Sequence, residues 1–247
     1  MKGLVVVTGA SSGFGAATAE AFAKLGHPLF LGARRTDRLA AIAAECEKLG
    51  SPKAVAHALD VRSKASIDRF CEDAGTPEIL VNNAGLARGR ELVHTLVDED
   101  AVEMIETNVL GLVRVTRALL PKMVAVKRGH VINIGSYAAR GVYEGGGVYA
   151  ATKHAVRVLS ETMRLELSGT NIRVSQIDPG LAETEFSIVR MRDEGKARAV
   201  YQGFQPLTAE DVADAIVWAA TRPAHVNISE IVFTATAQAS LTKVYRE

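Results

Sequence analysis

Leu4-Val5-Val6-Val7-Thr8-Gly9-Ala10-Ser11-Ser12-Gly13-Phe14-Gly15 joins an apolar run to a glycine-rich turn. Glycines let a backbone turn tightly and approach a phosphate closely, and a following helix presents free N–H groups and its positive dipole end. The spacing is Gly-x-x-x-Gly-x-Gly, which differs from the Gly-x-Gly-x-x-Gly dinucleotide fingerprint. The turn is therefore either a strand-to-helix connection without a ligand or a phosphate-binding loop. In the second case the candidate binding residues are Gly9, Ser11, Ser12, Gly13, Phe14 and Gly15.

Apolar runs of strand length recur along the chain, and amphipathic segments separate them. The predicted strands are Leu4–Thr8, Leu29–Ala33, Ala54–Asp60, Ile79–Asn83, His130–Gly135, Ile172–Asp178 and Ile231–Thr234. Several runs are apolar at nearly every position, which is typical of parallel strands covered on both faces. The alternation predicts an α/β fold in which one doubly wound parallel sheet spans residues 1–247 as a single domain. Residues 180–206 show no clear element, and a stretch of this length predicts a lid over a ligand.

Composition excludes several classes of protein. The 247 residues are 48% hydrophobic and 23% charged, which is too apolar for a disordered chain. A net charge of +1 gives no support for nucleic-acid binding, and no run of eighteen apolar residues predicts a membrane span. The start does not read as a signal peptide, and Cys46 and Cys71 are expected to be reduced thiols in the cytoplasm. The six histidines show no metal-ligand spacing, so no metal is expected.

The end of the second strand indicates the cofactor. Gly32-Ala33-Arg34-Arg35 contains no carboxylate where NAD-binding proteins commonly place one, and a guanidinium suits a 2′-phosphate. The alternative is a solvated pair of arginines at a helix start. We predict NADP, with Asp60 and Val61 flanking the adenine. Residues at the end of the fourth strand, Asn83, Ala84 and Gly85, are expected beside the pyrophosphate and ribose.

Four polar residues form a candidate catalytic set. Tyr149 and Lys153 are four apart in a helical sequence, so they share one face. A neighbouring ammonium and an oxidised nicotinamide both favour the phenolate and would lower the pKa of Tyr149. Ser136 ends the fifth strand, where a hydroxyl could hold a substrate carbonyl; the alternative is a local turn. Asn108 is either an anchor for a water linked to Lys153 or a buried polar group that kinks its helix.

Together these motifs resemble those of the short-chain dehydrogenase/reductase family over nearly the whole chain. The matching segments are Thr8–Gly15, Asn82–Gly85, Asn108, Ser136, Tyr149 with Lys153, and Pro179-Gly180 with Thr184. The resemblance implies a Rossmann fold of strand order 3-2-1-4-5-6-7. It also implies that Pro179, Gly180 and Thr184 contact the cofactor, and that Tyr149 and Lys153 do so as well as taking part in catalysis.

The resemblance further implies a role for each member of an Asn-Ser-Tyr-Lys tetrad. Tyr149 would exchange the hydroxyl proton and Ser136 would orient the reacting oxygen. Lys153 would hold the nicotinamide ribose and tune Tyr149, and Asn108 would support a proton relay. The family is commonly tetrameric through two long helices, here about Asp98–Lys127 and Val148–Leu167, so a homotetramer is expected.

A narrower resemblance concerns the substrate. Pro179–Arg190, Tyr201-Gln202 and Pro223–Ile228 look like the branch of NADP-dependent 3-hydroxy acid and serine dehydrogenases. It implies a small hydroxy acid or its carbonyl counterpart, including sulfonated aldehydes, bound with Ser136 and Tyr149. An anionic substrate requires a placed guanidinium. We favour Arg190, then Arg140, ahead of Arg88 and Arg90. The alternatives are a carbonyl reductase of bulkier neutral ketones and a nucleotide-sensing protein without catalysis.

Overall fold

The apolar runs form the strands of one parallel sheet in a computed structural model that describes residues 2–247. The strands are β1 Val5–Thr8, β2 Leu29–Ala33, β3 Ala54–Ala58, β4 Ile79–Asn82, β5 Gly129–Ile134, β6 Ile172–Pro179 and β7 Glu230–Phe233. Their order is β3-β2-β1-β4-β5-β6-β7, with every neighbouring pair parallel. This confirms the predicted doubly wound α/β fold.

Helices cover both faces of the sheet. They are α1 Gly13–Lys24, α2 Thr36–Lys48, α3 Lys64–Asp73, α4 Asp98–Ile105, α5 Leu112–Ala125, α6 Gly147–Glu166, α7 Glu185–Met191, α8 Glu194–Ala199 and α9 Ala209–Ala220. On β1, Val5 and Val7 join the core beneath α1, α2 and α9, whereas Val6 joins the core beneath α3 and α5. Burial on both faces explains why this strand lacks alternation. Among residues 2–247, no helix combines the length and apolar character needed to cross a bilayer.

The predicted long helix Asp98–Lys127 is interrupted. A π-helical turn, Glu106–Gly111, separates α4 from α5, and α5 ends at Ala125. Gly111 ends this turn where a Cβ atom would lie 2.8 Å from Cγ2 of Val61, so only glycine allows the helix to approach the loop after β3. Asn108 lies within the π-helical turn. Such turns are frequent at functional sites.

Residues 180–206, here called the lid segment, contain two short helices that the sequence pattern did not reveal. Thr184 caps α7 by accepting from the N–H of Phe186, and Asp193 caps α8 by accepting from the N–H of Lys196. Arg192 ends α7 in the left-handed region, with φ of 52°. These helices are too short to show a clear amphipathic period, and capping and tertiary contacts hold them instead.

Candidate active site

The glycine-rich loop after β1 is held against the loop after β4. Gly9 has a φ of 68°, and a Cβ atom there would lie 2.9 Å from Cα of Ala84. The side-chain amide of Asn83 donates to the carbonyl oxygens of Thr8 and Gly9 at 2.9 and 3.1 Å. The hydroxyl of Thr8 accepts from the N–H groups of Asn83 and Ala84. The two loops therefore form one rigid cradle at the carboxyl ends of the strands.

A cavity of about 370 Å³, here called the cofactor cavity, opens beside this cradle. It brings together most of the residues predicted to bind the cofactor: Gly9, Ser11, Ser12, Gly13, Phe14, Arg34, Arg35, Asp60, Val61, Asn83, Ala84, Gly85, Tyr149, Lys153 and Thr184. Gly15 instead supports the loop, since a Cβ atom there would lie 2.4 Å from the carbonyl oxygen of Gly9. Pro179 and Gly180 line a neighbouring cavity.

The arginine end of the cofactor cavity has the donors that a 2′-phosphate requires. Arg35 donates from Nε to Ser11 and from Nη2 to Ser12, at 3.2 and 2.6 Å, and from Nη1 to the carboxylate of Glu185 at 2.7 Å. Arg34 is half exposed and lies 3.8 Å from Glu103. The chemistry of this donor set and the glycine cradle both fit NADP.

Asp60, predicted to flank the adenine, is held by its own loop. Its carboxylate accepts from the backbone N–H and the guanidinium of Arg62 at 3.0 to 3.2 Å. The side-chain hydrogen bond from Arg62 lowers the pKa of Asp60. Asp60 thus shapes the rim of the cofactor cavity as an ionised, compensated group.

Tyr149 and Lys153 lie on one buried face of α6. Their exposed fractions are 8% and 6%, and Nζ of Lys153 lies 5.9 Å from the centroid of the Tyr149 ring. Nζ also donates to the carbonyl oxygen of Ile134 at 2.9 Å. The helical spacing read from the sequence therefore produces the expected juxtaposition at the end of β5.

Burial dominates the acidity of both groups. It raises the pKa of Tyr149, while the hydrogen bond with Ser136 and the charge of Arg190 act in the opposite direction. Burial lowers the pKa of Lys153 to about 8, against the opposing effect of Asp178. Without a bound cofactor, the positive charge of Lys153 does not outweigh the effect of burial on the pKa of Tyr149. A lowered pKa of Tyr149 therefore requires the additional positive charge of an oxidised nicotinamide.

Asn108 joins three elements through its side-chain amide. Its Oδ1 accepts from the N–H of Leu86, and its Nδ2 donates to the carbonyl oxygen of Leu86 and to the hydroxyl of Thr152, at 2.8, 2.8 and 3.0 Å. Thr152 precedes Lys153 on α6. The amide thus positions the lysine-bearing helix, and its placement in the π-helical turn agrees with the alternative of a buried, helix-distorting polar group.

Ser136 is positioned by a carboxylate that the sequence analysis did not single out. Asp178, fully buried at the end of β6, accepts from the backbone N–H of Ser136 at 3.0 Å and from Gln176 at 2.7 Å. Ser136 also makes the local turn considered above, since its hydroxyl accepts from the N–H of Ala138. The available signal was an acidic residue at the carboxyl end of a parallel strand, where ligand-facing groups lie.

Arg140 does not have the free charge expected of a substrate ligand. Its Nε and Nη2 donate to Asp178 at 3.1 and 2.9 Å, and Nη2 also donates to Glu230 at 2.6 Å. Its charge is compensated inside the protein, which weakens the second-placed candidate and leaves Arg190, the first choice from the sequence, as the candidate for an anionic substrate. Arg88 is similarly paired, with Nε 2.7 Å from Glu103.

Arg190 lies on α7 beside the phenol of Tyr149, in a second cavity of about 540 Å³ here called the substrate cavity. Its Nε, Nη1 and Nη2 donate to the carbonyl oxygen of Gly89, the hydroxyl of Tyr143 and the carbonyl oxygen of Gly145, at 2.9, 3.0 and 3.1 Å. Its guanidinium carbon lies 5.6 Å from the centroids of both tyrosine rings. Within residues 2–247 it forms no salt bridge with a carboxylate.

Comparison with known proteins identifies the class that this fold and site define. The family model of the short chain dehydrogenases matches residues 3–195, and the chain belongs to that family. This confirms the resemblance inferred from the motifs. The chain is therefore an oxidoreductase by family.

The similar proteins agree with the narrower resemblance. The chain is 46% identical over 234 residues to the NADP-dependent 3-hydroxy acid dehydrogenase YdfG of Escherichia coli K12, covering 92% of this chain and 93% of that protein. It is 41% identical over 249 residues to an NADP-dependent 3-hydroxy acid dehydrogenase of Schizosaccharomyces pombe, covering 98% and 96%. The closed form of serine dehydrogenase complexed with NADP+ superposes with a TM-score of 0.91 at 43% identity, covering 99% and 100%.

Proposed function

We propose that this protein is an NADP-dependent oxidoreductase that transfers a hydride between the nicotinamide and a small hydroxy acid or its carbonyl counterpart. The substrate would be of the 3-hydroxy acid, serine or sulfoacetaldehyde type. One observation carries the choice of an anion: the guanidinium of Arg190 lies 5.6 Å from the ring centroid of Tyr149 and bonds only neutral oxygens. The activities of the similar proteins, NADP-dependent 3-hydroxy acid dehydrogenases and a serine dehydrogenase, support the same choice.

The free donors of Arg190 suit a carboxylate or sulfonate. A guanidinium has five N–H groups, and three are used in the hydrogen bonds described above. One N–H remains on each terminal nitrogen, so the guanidinium retains two donors for anionic oxygens. An anion bound there would fix the reacting carbon near Tyr149 and also compensate the positive charge of Arg190.

The chemistry at the reacting carbon follows from the buried hydroxyl groups. When bound, NADP supplies or accepts the hydride. Tyr149 exchanges the proton with the substrate oxygen, and Ser136 orients that oxygen through its hydroxyl. Lys153 holds the ribose and, with a pKa of about 8, carries a proton that can be exchanged near neutral pH. Asn108 and Asp178 act by positioning α6 and Ser136 respectively.

The cofactor would occupy the cofactor cavity beside the two cradle loops. Arg34 and Arg35 would bind the 2′-phosphate, and the glycine-rich loop would bind the pyrophosphate at the start of α1. Ser12 makes no side-chain capping bond to α1, which keeps the first-turn N–H groups available to an anion. Pro179, Gly180 and Thr184 lie on the side shared with the substrate cavity.

The lid segment is proposed to close over the substrate. Arg190 and Phe186 of α7 line the substrate cavity, and the rings of Phe186 and Tyr149 lie 5.6 Å apart. Reciprocal backbone and side-chain bonds between Arg190 and Gly89 tie α7 to the loop after β4. A substrate anion at Arg190 would therefore bind the lid and the catalytic residues together.

A homotetramer in the cytoplasm remains our expectation for the assembly and its location. Apolar side chains on α4 and α6 are exposed in the single chain, among them Val102, Ile105, Val158 and Leu165. Faces of this kind commonly mark contacts between subunits. The free thiols of Cys46 and Cys71 are compatible with a reducing compartment.

The test of the substrate proposal is Arg190→Ala assayed with an acid and with a neutral ketone. Hydrogen bonds to a charged group contribute more than neutral ones, so we expect KM for L-serine or 3-hydroxypropionate to rise roughly 10- to 100-fold. KM for a neutral diketone should change little. The matched control is Arg198→Ala, which removes an exposed cation from the same lid segment.

Arg190→Lys separates charge from geometry, because lysine retains the charge but lacks the fork. It should recover only part of the acid activity. Equal effects of Arg190→Ala on acid and ketone would instead favour a carbonyl reductase of bulkier neutral ketones. The size of the substrate cavity and the apolar contacts of Phe186 and Leu241 within it are the observations that keep this second candidate open.

A further inference from the structure

We infer that Glu185 competes with the 2′-phosphate of NADP for Arg35, and that this lid carboxylate thereby lowers the affinity of the site for NADP selectively. The inference rests on the proposed position of the 2′-phosphate. It assigns to the lid segment a part in cofactor binding that is separate from its part in substrate binding.

The geometry joins the lid to the cofactor end of the molecule. Glu185 is the first residue of α7, yet Oε2 lies 2.7 Å from Nη1 of Arg35 and Oε1 lies 2.6 Å from Nη1 of Arg38. Arg35 immediately precedes α2 and Arg38 lies in its first turn, and both Arg35 and Glu185 line the cofactor cavity. One carboxylate thus bridges two guanidinium groups beside that cavity.

Arg35 is otherwise fixed to the glycine-rich loop through Ser11 and Ser12. The guanidinium is therefore oriented by the same loop that is proposed to bind the pyrophosphate. The remaining partner, Glu185, is an anion placed where another anion is expected. The hydrogen bond from Arg35 lowers the pKa of Glu185, so the carboxylate is ionised at neutral pH. A phosphate at this guanidinium would meet a like charge unless Glu185 moves away.

Displacement of Glu185 costs little because both partners reach solvent. The exposed fractions of the Arg35 and Glu185 side chains are 44% and 41%. Ion pairs at such positions are individually weak. The exchange is also reciprocal: if the phosphate releases α7 from α2, then α7 held on α2 must weaken phosphate binding by the same factor.

The test is calorimetric titration of Glu185→Gln with NADPH, NADH and adenosine 2′,5′-bisphosphate, which carries the 2′-phosphate without a nicotinamide. We expect Kd for NADPH and for the bisphosphate to fall roughly two- to tenfold. Kd for NADH should stay within about twofold of the wild-type value. Glu183→Gln removes the same charge two residues away on the lid segment and should leave all three values within that limit.

Three results would overturn the inference: an unchanged or weaker affinity for NADPH in both Glu185→Gln and Glu185→Ala, an equal tightening of NADH, or the same tightening in Glu183→Gln. Glu185→Ala repeats the test without the amide, in case glutamine retains the bridge to Arg35. The wild-type titration distinguishes a failure of this inference from a failure of the proposed cofactor. A wild type that binds NADH more tightly than NADPH contradicts the proposed cofactor, whatever the variants show.

Discussion

One arginine of the cofactor cavity and one of the substrate cavity differ in the groups that compensate their charge. Arg35 bonds the carboxylate of Glu185, whereas Arg190 bonds two carbonyl oxygens and a phenol. Because a guanidinium remains charged at every physiological pH, the partner decides how strongly it attracts a further anion. We therefore propose that a substrate anion binds at Arg190, whereas an anion that binds at Arg35 must displace Glu185.

The substitution Arg34→Ala tests the assignment of NADP as the cofactor. Arg34 is half exposed and has only a distant partner, Glu103 at 3.8 Å, so its charge is available to a phosphate. We expect Kd for NADPH to rise roughly tenfold, with a much smaller change for NADH. Fluorescence titration with both nucleotides measures this, and Arg69→Ala on α3 serves as the control. If the variant bound both nucleotides equally more weakly, the 2′-phosphate would not be bound by Arg34.

Most elements of this fold could be predicted because their signal is local. Continuous apolar runs such as Val5–Val7 marked the buried strands, and the helical spacing of Tyr149 and Lys153 placed both on one face. The π-helical turn could not be predicted, since it depends on bonds between Asn108 and Leu86, which are 22 residues apart. Helix α7 is held by partners as distant as Arg35, which no local pattern records.

The glycine at the end of the π-helical turn should be required for the stability of the protein. In Gly111→Ala the added Cβ would press on Val61, which lines the cofactor cavity. Overpacking of this kind costs about 1–3 kcal/mol, which lowers Tm by roughly 2–10 °C in a protein of this size. Gly147→Ala on α6 is the control, because its Cβ would make an ordinary contact 3.5 Å from Val93. Thermal unfolding of both variants measures the difference in Tm. An unchanged Tm for Gly111→Ala would show that the space between Gly111 and Val61 can accept a methyl group.

At the scale of the whole molecule, the site residues collect at one end of the sheet because its strands are parallel. Ser136 follows β5, Asp178 ends β6 and the glycine-rich loop follows β1, so residues far apart in sequence meet at the carboxyl ends. The sequence predicted which strand ends would meet. It did not predict the pairing of Asp178 with Arg140, because two ionised side chains give no local pattern of their own.

Stability of the whole molecule should depend on pH through His130 in β5. Burial, with a smaller effect of Arg173 in the same direction, lowers the pKa of His130 from 6.5 to about 3. The unfolded chain therefore binds the proton first, and folding stability is lost as pH falls below about 6.5. The titration of His130 alone should lower the free energy of unfolding by about 2 kcal/mol between pH 7 and pH 5.

His130→Gln removes that titration while retaining a polar atom near Ser175, its partner at 2.7 Å. Urea unfolding at pH 7 and pH 5 should show a smaller loss for the variant than for the wild type, by about the same 2 kcal/mol. Identical losses in the two proteins would mean that His130 is not held neutral by the fold.

The central claim is that the hydroxyl of Tyr149 exchanges the proton of the reacting group, and the most direct measurement compares turnover with cofactor affinity in Tyr149→Phe. General acid–base catalysis contributes roughly 100- to 10,000-fold, so kcat should fall by that range. Kd for NADPH should stay within about threefold of the wild-type value, since the ring and its burial remain. A variant that turns over at a rate close to the wild type, with NADPH bound normally, would contradict the account.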